Sequence, residues 1–194
     1  MEKKVDSLID GHKIHLHPWK TASWLGVDDC YPIHIEIGAT SRCNQRCIFC
    51  ALDFINHKGV DIDTDVMLNS LEDMANPHTA CKVTIEYNDK TYINYDKVKS
   101  VMFGGEGEPT LHKDLGLFIQ KAKNSGLDVS LTTNGVLFNK ELQEKCLPFL
   151  SWIKFSVDSG TSKSYKTLHG VPERDFELLI KNISDSLNFK RENN

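Results

Sequence analysis

Short apolar runs alternate with amphipathic stretches along this chain, and that alternation constrains its fold more than any other feature. Ile33-His34-Ile35-Glu36-Ile37 alternates apolar and polar residues, as a strand does. A helix is predicted from about Asp63 to Ala75, opened by Asp63 or Thr64 and stopped by Pro77. Val101-Met102-Phe103 reads as the next strand. Leu115, Phe118, Ile119 and Ala122 then fall at i, i+3, i+4 and i+7, predicting a helix over 112–125 with Gly126 as its stop. Val129 to Thr132 is a third strand, 139–147 a helix opened by Asn139, and Trp152 to Val157 a fourth strand. The last helix begins near Pro172 and carries Phe176, Leu179, Ile180, Ile183 and Leu187 on one stripe. Four such alternations between 33 and 187 ask for a parallel sheet with right-handed crossovers. Ligands of such sheets sit beyond the carboxyl ends of the strands. Lys82 to Tyr95 breaks the rhythm: VTIEY and TYINY flank Asn88-Asp89-Lys90 as an inserted β-hairpin.

Composition narrows the function classes. Forty per cent apolar and 26 % charged residues are ordinary for a folded domain. With 23 basic against 27 acidic residues, the net charge of −4 disfavours broad adhesion to nucleic acid or anionic membrane. No apolar run reads as a signal peptide or a membrane span, so a cytoplasmic location with no membrane partner is expected. Six cysteines in that compartment should be reduced, and clustered ones then point to metal or catalysis. Cys30, Cys81 and Cys146 stand alone and read as small buried thiols.

Cys43, Cys47 and Cys50 form CxxxCxxC just after the first strand. Soft thiolates this close suit zinc or an iron–sulfur cluster. A structural zinc site would need a fourth ligand, for which Cys30 or His57 is available, and usually shows a second CxxC pair, which is absent. Three thiolates on a four-iron cluster instead leave one iron open. His12, His15 and His17 form a second potential metal cluster, with a half-buried strand or a solvated segment as the more ordinary reading. Trp19 and Trp24 are expected to pack the N-terminal segment onto the sheet.

With its cysteine loop placed after the first strand of a repeated βα pattern, the sequence resembles the radical S-adenosylmethionine (radical SAM) superfamily. The resemblance covers about residues 33 to 187 and implies a partial (β/α)6 TIM-barrel-like core of about four βα units. The domain plan is then a 1–32 N-terminal extension, a 33–187 incomplete barrel carrying the hairpin insertion, and a 188–194 polar tail. The resemblance further implies a 4Fe–4S cluster held by Cys43, Cys47 and Cys50, with SAM chelated to the open iron. Reductive cleavage of SAM then yields a 5′-deoxyadenosyl radical that abstracts hydrogen from a substrate. Phe49 would lie near the adenine, or else pack the loop as a core aromatic.

Later strand ends extend the likeness. Gly104-Gly105-Glu106-Gly107-Glu108-Pro109 resembles the family's "GGE" turn, whose backbone meets the SAM amino group. The motif can be set on Gly105-Glu106 or on Gly107-Glu108, and the second is preferred because a proline follows. Read alone, the segment is a capping turn with two solvated glutamates, and it lacks the Gly-Lys-Ser/Thr of a phosphate loop. Thr133-Asn134-Gly135 resembles the strand-three end that approaches the SAM carboxylate and ribose, although by itself it reads as a glycine turn. Ser156-Val157-Asp158 resembles the strand-four end: Ser156 would bond ribose or carboxylate, and Asp158 would order its loop or face substrate. Residues 162–170 look like the family's loop after that strand. The implied partners are SAM, a reductant such as flavodoxin or ferredoxin, and an unidentified substrate. A partner chain or further C-terminal segment is expected to complete the barrel. The rival reading is an iron–sulfur electron-transfer or structural metal-binding module without SAM chemistry, to which the later strand ends would be superfluous.

Overall fold

The computed structural model describes residues 17–26, 30–55, 57–76 and 82–193. It resolves into two compact units, the smaller combining the N-terminal segment through Ile33 with the hairpin region up to Lys97. In the smaller unit, helix α1 (Pro18–Gly26) carries Lys20, whose ammonium lies 2.5 Å from the Asp96 carboxylate with both side chains buried. Lys20 also donates to the Tyr31 carbonyl at 2.9 Å, and the Tyr31 amide donates to Asp96 at 2.8 Å. A buried ion pair is tolerable only when such further hydrogen bonds satisfy it. Strands β2 (Lys82–Tyr87) and β3 (Lys90–Tyr95) form the expected hairpin, turned by Asn88 and Asp89 at φ 50° and 58°. Positive φ at both central residues gives the twist that matches paired strands. Trp19 is half-buried, whereas Trp24 is 72 % exposed, so the second tryptophan is not the packing residue expected of it. His12, His15 and Cys81 lie outside the described residues; His17 immediately precedes α1.

The larger unit carries the predicted parallel sheet. Its strands are β1 (His34–Ile37), β4 (Ser100–Phe103), β5 (Asp128–Thr133) and β6 (Trp152–Phe155), in the order β1-β4-β5-β6 with every pair parallel. Between them run α3 (Thr64–Ala75), α4 (Leu115–Asn124) and α5 (Lys140–Cys146), and α6 (Ser162–His169) and α7 (Arg174–Glu192) follow β6. Because each strand pairs with the next in the larger unit's chain order, every crossover turns the same way, and right-handed crossovers set the helices on one face. Register makes that face apolar: Ile37, Phe103, Leu131 and Ile153 form one row across the sheet. Phe118 and Ile119 of α4 are fully buried, and the Phe118 ring stacks 6.3 Å from Phe103. The opposite row, Glu36, Met102, Ser130 and Trp152, is the inner side of a half-barrel and is more polar.

Helix boundaries follow their capping chemistry. The Asp63 carboxylate accepts from the amides of Asp65 and Val66, and Asn139 accepts from Leu142, so both caps are as read. The 112–125 helix begins only at Leu115, because Pro109–Leu111 forms a separate 3-10 turn capped by Glu108. A short helix, α2 (Ala51–Phe54), follows the last clustered cysteine. Residues 162–169, expected as a loop, are the helix α6, capped by Thr161 and ended by Gly170 at φ 62°. The polar segment after 187 continues α7 as far as Glu192. Cys146 is buried as expected, whereas Cys30 is exposed.

Truncating Phe118 removes the ring on which α4 meets the sheet. Phe118→Ala should lower unfolding stability by about 3–5 kcal/mol in urea denaturation followed by circular dichroism.

Candidate active site

Beyond the carboxyl ends of the four strands lies a pocket that gathers most of the predicted residues. Cys43, Cys47, Phe49 and Cys50 come from the loop after β1, Gly105, Gly107 and Glu108 from the turn after β4. Thr132, Thr133 and Asn134 come from the end of β5, and Ser156 and Asp158 from the loop after β6. Glu106 is the exception. It is exposed and lines a separate depression beside Gly38 and Asp61, whereas Gly105, Gly107 and Glu108 line the pocket.

Glu108 does not behave as a solvated turn residue. It is 2 % exposed and its carboxylate accepts four hydrogen bonds from the chain. Oε1 takes the Thr110 amide at 3.0 Å, the Thr110 hydroxyl at 2.7 Å and the Thr133 hydroxyl at 2.6 Å. Oε2 takes the Asn134 amide at 2.7 Å. The same residue's amide donates to the Arg42 carbonyl at 2.7 Å, one residue before the cysteine loop. Glu108 therefore joins the turn after β4 to the end of β5 through its carboxylate and to the loop after β1 through its amide. Gly107 makes this approach possible: it sits at φ 71°, and a Cβ there would lie 2.2 Å from the Thr40 carbonyl oxygen. Asn134 extends the tie by donating its side-chain amide to Asn44 at 2.8 Å.

The cysteine loop is held from its other side by α6. Arg46 and Ile48 donate their amides to the carbonyls of His169 and Leu168, each at 2.9 Å. Gly170 is required at the junction, since a Cβ would come within 2.7 Å of the Arg46 carbonyl oxygen. The His169 ring is 1 % exposed, stacks 4.1 Å from Tyr165, and brings Nδ1 within 3.1 Å of Cys47 Sγ. Gln45, also buried, donates to the Tyr165 hydroxyl at 2.7 Å, and its amide points at Cys43 Sγ at 3.4 Å. Phe49 is 59 % exposed and meets His169 edge to face at 5.8 Å, so it is a rim residue and not a core aromatic. Asp158 holds a left-handed φ of 49°, which Asp tolerates better than most residues, and its carboxylate lies 3.9 Å from His169 Nε2.

Sequence reasoning missed Gln45, Thr132 and His169. A usable signal for the last was present, because Tyr165 and His169 are four apart and a glycine follows, the mark of one helix face and its end.

The thiols suit a cationic centre. Burial pushes the Cys47 thiol up to about 11, and the neighbouring Cys43 and Cys50 add to the rise. Burial likewise raises Cys43, against the Gln45 amide that lowers it. Three thiolates crowded here are costly until positive charge joins them, which is what iron supplies. A tetrahedral zinc would draw sulfurs to about 3.8 Å of one another, from Zn–S bonds of about 2.3 Å. Among the described residues no three His, Cys, Asp or Glu groups converge on one ion. His57, a candidate fourth ligand, spends Nε2 on the Ser41 hydroxyl at 2.8 Å. A cluster fits better, since it spreads its thiolates over separate irons.

Replacing Glu108 by Gln keeps its shape but puts an amide NH2 against groups that already donate. Glu108→Gln should cost about 1–3 kcal/mol of stability in chemical denaturation, the penalty of a buried donor left unmatched.

Residues 37–189 match the Radical SAM superfamily. The chain is 28 % identical over 155 residues to the tungsten-containing aldehyde ferredoxin oxidoreductase cofactor-modifying protein of Pyrococcus furiosus, covering 77 % of this chain and 38 % of that one. It is 30 % identical over 154 residues to a probable GTP 3′,8-cyclase of Sulfurisphaera tokodaii, covering 79 % and 42 %. The chain thus spans about two-fifths of the length of these relatives. Among solved structures, Streptococcus suis SuiB bound to S-adenosylmethionine superimposes with a TM-score of 0.58 at 20 % identity, over 80 % of this chain and 32 % of SuiB. BtrN in complex with AdoMet and 2-DOIA gives 0.51 at 16 % identity, over 77 % and 55 %. Those two likenesses speak for the fold. No helix among the described residues is long and apolar enough to cross a membrane. A match over most of the chain, on a half-barrel whose strand ends carry a three-cysteine loop, makes this chain a member of the radical SAM superfamily, whose enzymes use a 4Fe–4S cluster and S-adenosylmethionine.

Proposed function

We propose that Cys43, Cys47 and Cys50 hold a 4Fe–4S cluster, that the adjoining pocket binds S-adenosylmethionine, and that the chain initiates radical chemistry on a substrate. The observation that carries this reading is the convergence of the three thiols with the ends of β4, β5 and β6 on one pocket. Cys43, Cys47 and Cys50 would hold the cluster, which would pass an electron from a flavodoxin- or ferredoxin-type donor to the sulfonium and so supply reductive cleavage of S-adenosylmethionine for hydrogen abstraction from substrate.

The chain's own residues supply position and shelter. Gly105 and Gly107 expose backbone where a ligand ammonium needs carbonyl acceptors. Glu108 holds that backbone from behind, its carboxylate being committed to the protein. Asn134 and Ser156 offer neutral hydrogen bonds to carboxylate and ribose, Thr133 orients Glu108 and the Gly135 amide, and Phe49 at the rim offers a flat face to adenine. Asp158 lies where the loop after β6 meets the pocket and faces ligand or substrate. An electron-transfer module would need none of these strand ends. The similar proteins carry different molecules in their names, GTP for the cyclase and a bound precursor peptide for SuiB, so the reading is of radical initiation and not of one substrate.

The outer edge of β6 pairs with no described strand, and Trp152 on it is half exposed. Radical chemistry must exclude water. Further strands, from a partner chain or from the remainder of a longer protein, close the barrel along this edge in the proposed enzyme.

Anaerobic reconstitution should load close to four irons per chain, with Cys43→Ala, Cys47→Ala and Cys50→Ala each losing them, and 5′-deoxyadenosine should form from SAM and dithionite. Stoichiometric zinc without iron would overturn the reading. Ser156→Ala should keep the iron yet weaken SAM binding in calorimetry by about 1 kcal/mol, roughly fivefold in Kd.

A further inference from the structure

His169 is the one side chain from outside the cysteine loop that comes within hydrogen-bonding distance of a clustered sulfur among the described residues, with Nδ1 3.1 Å from Cys47 Sγ. It reaches across 122 residues of chain to do so. Its position is overdetermined. The ring stacks on Tyr165, Phe49 closes over its edge, and its own carbonyl accepts the Arg46 amide. Tyr165 is itself fixed by Gln45, so the ring cannot swing away from the sulfur without breaking a buried network. The other ring nitrogen, Nε2, is buried, with the Asp158 carboxylate 3.9 Å away.

Chemistry sets the direction of this contact. A thiolate bound to iron has no proton to give, so the hydrogen bond exists only if Nδ1 carries the hydrogen. We infer that His169 is a positioning residue whose Nδ1–H donates to the Cys47 thiolate, orienting that ligand and raising the reduction potential of the proposed cluster. Hydrogen bonds to cluster sulfurs act in this direction because they favour the more negative, reduced state. Gln45 gives the same kind of donor to Cys43 from within the loop, but through the backbone, which a change of side chain other than to proline leaves in place. His169 is therefore the side chain through which the potential is set. This inference rests on the cluster proposed above.

Three variants separate the donor from the ring. His169→Asn keeps an N–H close to the Nδ1 position. His169→Gln carries its amide farther out, near Nε2. His169→Phe keeps the ring for Tyr165 and Phe49 but donates nothing. Each full-length chain is reconstituted anaerobically, its iron is counted, and its midpoint potential is measured without SAM by redox titration followed by electron paramagnetic resonance. The expected result is full iron in wild type and Asn, a wild-type-like midpoint for Asn, and a shift to more negative potential for Phe and Gln. Equal midpoints in all four proteins overturn the inference, as does an Asn variant shifted as far as Phe, which would make the ring and not the donor responsible. If Phe takes up no iron, the comparison of Asn with Gln decides. A wild-type chain that takes up no iron fails at the first measurement and overturns the cluster reading together with the inference built on it.

Discussion

One carboxylate holds the site together. Glu108 is buried, negatively charged and surrounded by four donors drawn from its own turn and from the end of β5, while its amide binds the residue before the cysteine loop. Burying a lone carboxylate would cost several kcal/mol, so the arrangement is stable only with all of its donors in place. Three loops that would each wander independently are thereby given one geometry. The cost of that rigidity is that Glu108 has little left to offer a ligand, and the acceptors available to an ammonium become backbone carbonyls that its bonds keep in place.

The cysteine loop depends on this tie and on a second one. Loops are ordinarily the mobile part of an α/β fold, and three thiolates on one centre need the opposite. Here the loop is clamped between the Glu108 amide at its start and the last carbonyls of α6 farther along. A helix ends with unpaired carbonyls, and lending two of them to Arg46 and Ile48 satisfies both partners at once. Gly170 ends the helix where any larger residue would strike Arg46. The loop's order is thus borrowed from elements before and after it.

Much of the fold was legible because it rests on local periodicity. The stripe through Leu115, Phe118, Ile119 and Ala122 and the caps at Asp63 and Asn139 need only the residues beside them. The CxxxCxxC spacing and the strand-end motifs likewise lie in short windows, which is why the site's ingredients could be named. What escaped depends on contacts distant in sequence. Glu108 looks like a solvated turn residue until Thr133 and Asn134 arrive from 25 and 26 residues away. Residues 162–170 read as a loop only through their likeness to the family's loop after strand four, and the helix they form buries just Tyr165 and His169. Hydrophobicity alone predicts packing for Trp24, and its exposure is no contradiction of physics, since much of any protein surface is apolar.

The division of labour across the sheet follows from the same constraint. Helices cover only one face, so the apolar row from Ile37 to Ile153 supplies the stability and the other row is released from that duty. Met102, Ser130 and Thr132 lie on the inner side, where Thr132 reaches the pocket and its hydroxyl rests against the Met102 sulfur at 3.3 Å. Stability on one face and chemistry at the strand ends can then change independently. That independence fits a chain path kept in common with SuiB at 20 % identity.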